Sequence, residues 1–245
     1  MRQTVTSRQN ASVKLAASLH QKKYRDETGL IWLEGERNLS ALPEDVKVRF
    51  WVSTEPDSLQ EKENVIVVEP SIFGYISGLK TPQGMGAVLE RPPEEDISSL
   101  TEGNILFLER VQNPDNVGAI IRSAACAGFS HVVLSEGCAD CWSPKALRAC
   151  AGNIFRVGIS RSDLSGLARL KETGLKLAGA HLSGDEAFEA SPGRWALLIG
   201  NEGRGLSGEA AGMCDKLVRI PMREGCESLN AACAAAVLMY KIMGY

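Results

Sequence analysis

Residues 105–134 read ILFLERVQNPDNVGAIIRSAACAGFSHVVL, and this stretch decides the fold class. ILFLER (105–110) and HVVLSEG (131–137) are apolar runs of strand length, rich in Leu, Val and Ile, as strands buried on both faces must be. Between them, NPDNVGAIIRSAACAGF (113–129) predicts a helix: Asp115 or Asn116 can cap its start and Gly128 can end it. The alternation continues through candidate strands KLAGAHL (176–182), WALLIG (195–200) and KLVRIPM (216–222). Alternating strands and helices imply a parallel sheet with helices on both faces.

Upstream the pattern is different. Residues 6–22 carry apolar Val13, Leu15, Ala16, Ala17 and Leu19 and predict a helix. LIWLEG (30–35), RFWVS (49–53), VIVVEP (65–70) and MGAVLERP (85–92) predict short strands. RPPEEDISS (91–99), with paired prolines and three acids, marks a linker. The chain of 245 residues therefore divides into residues 1–96 and 97–245, a length that accommodates two small domains.

The hydrophobic fraction of 44% and charged fraction of 23% are those of an ordinary globular protein, and the net charge of -3 excludes a global basic excess. Charge is uneven at the start, however. Arg2, Arg8, Lys14, Lys22, Lys23 and Arg25 all precede the first acidic residue, Asp26, so this segment is either a solvated basic helix or a phosphate-contacting face. No run of about 18 apolar residues is present to span a membrane, and the N-terminus lacks the apolar centre of a signal peptide. Seven cysteines, odd in number and set mostly among apolar residues, fit reduced thiols and a cytoplasmic location.

Three segments place polar residues at the ends of apolar strands, where open parallel sheets bind ligands. The first is Asn113-Pro114-Asp115-Asn116-Val117-Gly118, followed by Arg122, which lies one turn beyond Gly118. The second is LLIGNEGRGLS (197–207), with Gly200, Gly203 and Gly205 around Glu202. The third is IPMREGCESLNAACAAAVLMY (220–240), where a strand end leads through a polar loop to Ser228, a natural cap, then Leu229, Asn230 and an alanine-rich helix.

Weaker signals compete. With Gly208 the second segment also satisfies G-x-G-x-x-G, but its strand ends near Gly200 and too little chain follows for the βαβ unit of a nicotinamide dehydrogenase. Cys138 and Cys141 form a lone C-x-x-C, and His20, His131 and His181 are scattered, so no metal site is expected.

Together the three segments resemble the signature motifs of the SpoU (TrmH) family of RNA 2′-O-ribose methyltransferases: N-P-x-N-x-G with a downstream arginine, I-G-x-E-x-x-G-L, and I-P-M with S-L-N. SPKALRACAGNIFRV (143–157) also looks like a family segment. TSRQNASVKLAASLHQKKYRDETGLIWLEGERNL (6–39) and TPQGMGAV (81–88) are similar to the substrate-binding domain of the larger members. The resemblance implies a parallel-sheet SPOUT catalytic domain, an α/β fold with a C-terminal trefoil knot, behind a small N-terminal α/β RNA-binding domain of ribosomal-protein type. It implies S-adenosylmethionine as cofactor, no metal, a homodimer, and structured RNA as substrate, with large-subunit ribosomal RNA favoured over tRNA.

Carried onto this chain, the resemblance gives Asn116, Arg122, Glu202, Ser228 and Asn230 as the catalytic set. Gly200, Ile220, Met222 and Leu229 fall in the cofactor pocket. Arg8, Lys14, Lys22, Lys23 and Arg25 are the expected RNA-phosphate contacts. Arg122 is the family's candidate for activating the 2′-OH; a guanidinium keeps its proton, so it is expected to polarise the hydroxyl and clamp a neighbouring phosphate. Ala231 and Ala232 stand where the family often has Val-Ser, and Cys150 where serine is common. The alternatives are a tRNA 2′-O-methyltransferase and a non-catalytic RNA-binding relative.

Overall fold

Asn10, not the residues before it, starts the first helix. In the computed structural model, which describes residues 2–245, the Asn10 side chain accepts from the Ser12 and Val13 amides and caps α1 (Ala11–Ser18). The helix expected over 6–22 is thus shorter, and a second one, α2 (Lys22–Thr28), follows and ends at Gly29, whose φ of 67° is left-handed. The first unit comprises the chain up to Pro92 together with Asp140–Phe155. Its remaining elements are β1 (Arg2–Val5), β2 (Leu30–Glu34), α3 (Glu36–Ser40), β3 (Val48–Ser53), β4 (Val65–Val68), α4 (Pro70–Ile76) and β5 (Met85–Glu90). The strands form one mixed sheet in the order β1-β4-β3-β5-β2. The short edge strand β1 was not legible, because three of its four residues are exposed and carry no apolar alternation. Trp32, Leu19, Phe73 and Ile76 are fully buried in this unit's core.

The second unit comprises Pro93–Ala139 and Arg156–Tyr245. It contains β6 (Ile105–Leu108), α5 (Pro114–Ala127), β7 (His131–Leu134), β8 (Gly158–Arg161), α7 (Leu164–Glu172), β9 (Lys176–Asp185), β10 (Trp195–Ile199), α8 (Gly208–Met213), β11 (Lys216–Val218) and α9 (Ala231–Met243). The remaining helix, α6 (Pro144–Cys150), capped by Ser143, belongs to the first unit. Six strands pair in the order β11-β9-β10-β6-β7-β8, every pair parallel. The central strands β6 and β10 are buried along their whole length, which explains their unbroken apolar runs. β8 (Gly-Ile-Ser-Arg) was missed, since it has one apolar side chain in four.

Helix ends also differ in detail from expectation. Asn113, one residue before Pro114, caps α5 by accepting from the Asp115 amide, so neither Asp115 nor Asn116 does so. Gly128, at φ 81°, ends α5 as expected. Asn230 rather than Ser228 caps α9. The chain runs from β6 outward to β7 and β8, then returns to lay β9 and β10 on the other side of β6. That reversal beside β6 and β10 is where a parallel sheet opens a crevice at its carboxyl ends.

Candidate active site

β6 and β10 leave the sheet together. The Glu109 amide donates to Ile199 O, and the Glu109 carboxylate accepts from the Ser207 amide at 2.8 Å. Arg110 then takes a left-handed φ of 54° and ends the strand two residues earlier than its apolar run predicts. Beyond β10, residues 200–205 close on themselves: Asn201 and Gly205 exchange both backbone hydrogen bonds, at 3.0 and 2.8 Å. A side chain at Gly200 would overlap the Gly205–Leu206 backbone, so only glycine allows this closure. The Asn201 side chain accepts from the Gly203 and Arg204 amides and donates to Arg110 O at 2.9 Å. These glycines therefore serve a closed loop. The following strand, β11, pairs with β9 and not with β10, so the loop does not open a dinucleotide-binding βαβ unit.

Glu202 ties the three sequence segments together. Its carboxylate accepts from the Gln112 amide at 3.1 Å, the Asn113 amide at 3.0 Å and Asn116 Nδ2 at 3.0 Å. A carboxylate only accepts, so Asn116 must present its NH₂ to Glu202 and its Oδ1 away from it. Oδ1 accepts from Asn230 Nδ2 at 3.0 Å, which leaves Asn230 Oδ1 to accept from the Ala232 and Cys233 amides and cap α9. One charge thereby orients two side-chain amides and sets the start of the last helix. Partial burial acts to raise the Glu202 carboxyl, but the hydrogen bonds from Asn116, Asn113 and Gln112 outweigh it and hold the group below the usual carboxylate range. It stays ionised at neutral pH.

Beside this network lies a cavity of about 440 Å³, within the roughly 300–1,000 Å³ of small-molecule sites. All four residues expected to hold a cofactor, Gly200, Ile220, Met222 and Leu229, line it, as do Glu202 and Ser228. Among the described residues, no protein group pairs with the backbone N–H of Ile220 or Leu229, so both are available to a ligand's acceptors. Sequence reasoning missed Ala180, His181 and Leu182 in the middle of β9, just past its pairing with β10, and Ala234 and Leu238 on α9. The signal for the first three was present: β9 neighbours β10, and the part of it beyond the carboxyl end of β10 must share the crevice.

Arg122 stands apart from both features. It is half-buried on α5, does not line the cavity, and makes no hydrogen bond or ion pair among the described residues. Asn116 is buried and reaches the site only through the network. Cys138 is no reactive thiol: burial pushes its pKa up, and Sγ donates to Leu108 O.

The basic N-terminal residues separate into two groups. Arg8 donates to Ser71 O and lies over the Tyr75 ring, while Lys22 and Lys23 make exposed pairs with Asp26 and Glu27. Lys14 has no polar partner among the described residues. Arg25 departs from the expectation of a phosphate contact. It is only 3% exposed, donates to Leu19 O, and pairs with Asp140. Its partner lies 115 residues away in sequence, so nothing in the local pattern distinguished it from its exposed neighbours.

An all-parallel six-stranded sheet, a self-closed glycine loop after a central strand and a small-molecule cavity beside it agree with the SPOUT-type, α/β-knot methyltransferase fold of the solved relatives, and a small α/β unit accompanies it. The chain belongs to the SpoU rRNA methylase family, whose profile matches residues 103–240. Residues 10–87 match the MRM3-like substrate binding domain. The chain is 32% identical to the 23S rRNA (guanosine(2553)-2′-O)-methyltransferase RlmP of Bacillus subtilis, over 98% of this chain and 99% of that one. Among solved structures it resembles an AdoMet-bound rRNA methyltransferase from Sinorhizobium meliloti, with a TM-score of 0.87 and 28% identity over 98% and 97% of the two chains. It also resembles the SpoU methyltransferase AviRb of Streptomyces viridochromogenes in complex with AdoMet, with a TM-score of 0.84 and 25% identity over 96% and 98%.

Proposed function

We propose that this protein transfers the methyl group of S-adenosylmethionine to a ribose 2′-OH of large-subunit ribosomal RNA. The observation that carries the reading is the Glu202–Asn116–Asn230 chain, which joins all three family motifs at the wall of a cavity lined by Gly200, Ile220, Met222 and Leu229. S-adenosylmethionine supplies a methyl group already activated on a sulfonium. What is left to the protein is alignment, and holding reactants in line is worth roughly 7–11 kcal/mol. Ile220 and Leu229 would hold the cofactor with their open backbone N–H groups, and Glu202 would keep the loop around Gly200 in place. Ser228, at the cavity edge, would border the ribose.

Arg122 has five donors and no acceptor, so it cannot take the hydroxyl proton. Lying outside the cavity lining and free of internal partners, it would meet the substrate, polarise the 2′-OH and clamp an adjacent phosphate that receives the proton. Residues up to 96 would hold RNA, with Arg8, Lys14, Lys22 and Lys23 on phosphates, and residues 97–245 would carry the transfer. Exposed Val237 and Tyr240 on α9 form an apolar face suited to a second copy, giving a homodimer. No helix among the described residues is long and apolar enough to cross a membrane. Ribosomal RNA as substrate would place the protein in the cytoplasm.

The test is to incubate the protein with tritiated S-adenosylmethionine and large-subunit ribosomal RNA, then map the modified nucleotide by alkaline-resistance sequencing. The guanosine named for the Bacillus subtilis relative is the first position to inspect. Arg122→Lys keeps the charge and loses the fork, so turnover should fall at least about tenfold with cofactor affinity unchanged. Absence of label in any ribosomal RNA would refute the function, and full turnover by Arg122→Lys would refute the clamp.

A further inference from the structure

The first unit holds a second cavity of about 440 Å³, distinct from the one lined by the second and third motif segments of the second unit. Tyr24 and Tyr75 border it, and both rings are exposed, at 37% and 47%. Both rings therefore present a solvent-facing surface at one small pocket, and neither hydroxyl has a hydrogen-bond partner among the described residues. Each ring carries a cation: the Arg8 guanidinium lies 5.4 Å from the Tyr75 centroid, and Lys23 Nζ lies 5.9 Å from that of Tyr24. Lys14 also lines the pocket, and no carboxylate does. His20 closes the inner wall. Its Nε2 is within 2.7 Å of Ile76 O and is the donor, because a carbonyl oxygen only accepts. A side chain at Gly78 would press on that ring at 2.8 Å, so the wall is shaped around it.

We propose that this pocket is a stacking site for an unpaired nucleotide of the RNA substrate, with its base against Tyr24 and Tyr75 and its flanking phosphates on Arg8, Lys14 and Lys23. The proposal rests on the reading of RNA as substrate. Aromatic faces accept any unstacked base, and cations beside them track the backbone, which is the combination that single-stranded nucleic acid requires. A paired helix has no free base face to offer, so the site selects a loop, bulge or end in the ribosomal RNA.

The experiment compares a short fluorescein-labelled single-stranded oligoribonucleotide of mixed sequence with a blunt RNA duplex of equal length, by fluorescence anisotropy on the full chain. Tyr24→Ala and Tyr75→Ala should each weaken single-strand binding about fivefold or more, while Tyr24→Phe and Tyr75→Phe retain it. Duplex binding and S-adenosylmethionine affinity should not change. In methyl transfer, the alanine variants should raise KM for ribosomal RNA and leave kcat unaltered. Alanine variants that bind the single strand like the wild type, or lose single strand and duplex equally, would overturn the stacking site. Wild-type methylation of ribosomal RNA with unchanged KM in both alanine variants would overturn it while leaving the methyl-transfer reading intact. Tyrosine-dependent single-strand binding with no methylation of any ribosomal RNA would support the stacking site and sink the methyl-transfer reading.

Discussion

Replacing Asn116 by aspartate changes one atom group and reverses one interaction. The new carboxylate can still accept from Asn230 Nδ2, but where Nδ2 donated to Glu202 Oε1 at 3.0 Å an oxygen would now face an oxygen. Two unit charges at that separation repel by about 5.5 kcal/mol at an effective dielectric of 20 and about 1.4 kcal/mol in bulk water. A lost hydrogen bond to a charged group adds roughly 1.5–3 kcal/mol. Glu202 is exposed, so solvent screening pulls the total toward the lower end, about 3 kcal/mol.

The pH dependence is the sharper signature of that substitution. In the wild type the Glu202 pKa is depressed, so its contribution is complete above the ordinary carboxylate range and is lost only as pH falls through the lowered value. Between pH 5 and 8 it adds no slope. In Asn116→Asp, one carboxyl of the pair has a raised pKa in the folded state. The folded protein then binds more protons than the unfolded chain, and stability falls as pH rises through that window. Thermal melts followed by circular dichroism should show the variant roughly 6–12 °C below wild type at pH 8, with the gap narrowing toward pH 5. Parallel profiles for the two proteins would show that Asn116 and Glu202 are not coupled as described, and that the network does not organise the site.

Three further outcomes follow from the geometry. Gly200→Ala forces a side chain into the Gly205–Leu206 backbone; it should cost about 1–3 kcal/mol in stability and weaken S-adenosylmethionine binding, and an unaltered calorimetric Kd would contradict the closed-loop account. Arg25→Ala strands the largely buried Asp140 carboxylate and should lower stability by about 3–5 kcal/mol in urea, where a wild-type midpoint would mean the pair is dispensable. Charge reversal at Lys22 and Lys23, both exposed, should raise the RNA dissociation constant and reduce its salt dependence without altering cofactor affinity; unchanged RNA binding would remove that segment from the RNA face.

Much of the second unit was legible because its signals are local. Long apolar runs mark β6 and β10, Gly128 marks the end of α5, and the second and third motif segments contain the four residues, Gly200, Ile220, Met222 and Leu229, that the structure brings to one cavity. The misses occur where local signals are weak or shared. β1 and β8 are too short and polar to alternate visibly, and they become strands because a neighbouring strand offers them backbone partners. Asn113, Asp115 and Asn116 are all good caps, and the fixed φ of Pro114 at the first helical position assigns the role to Asn113.

The amino-acid sequence by itself determined the class of fold, through its periodicity, and the family, through motifs whose resemblance also singled out four residues that line one cavity, because these signals are properties of neighbours along the chain. Tertiary structure alone decided that Arg25 turns inward to Asp140 and that residues 140–155 fold with the first unit. It alone joined Glu202, Asn116 and Asn230 into one hydrogen-bonded chain and brought the middle of β9 to the cavity. Each of these is a pairing between residues tens of positions apart or more, and a side chain's partner is set by which chain segments the core packs side by side, a choice that no local pattern records.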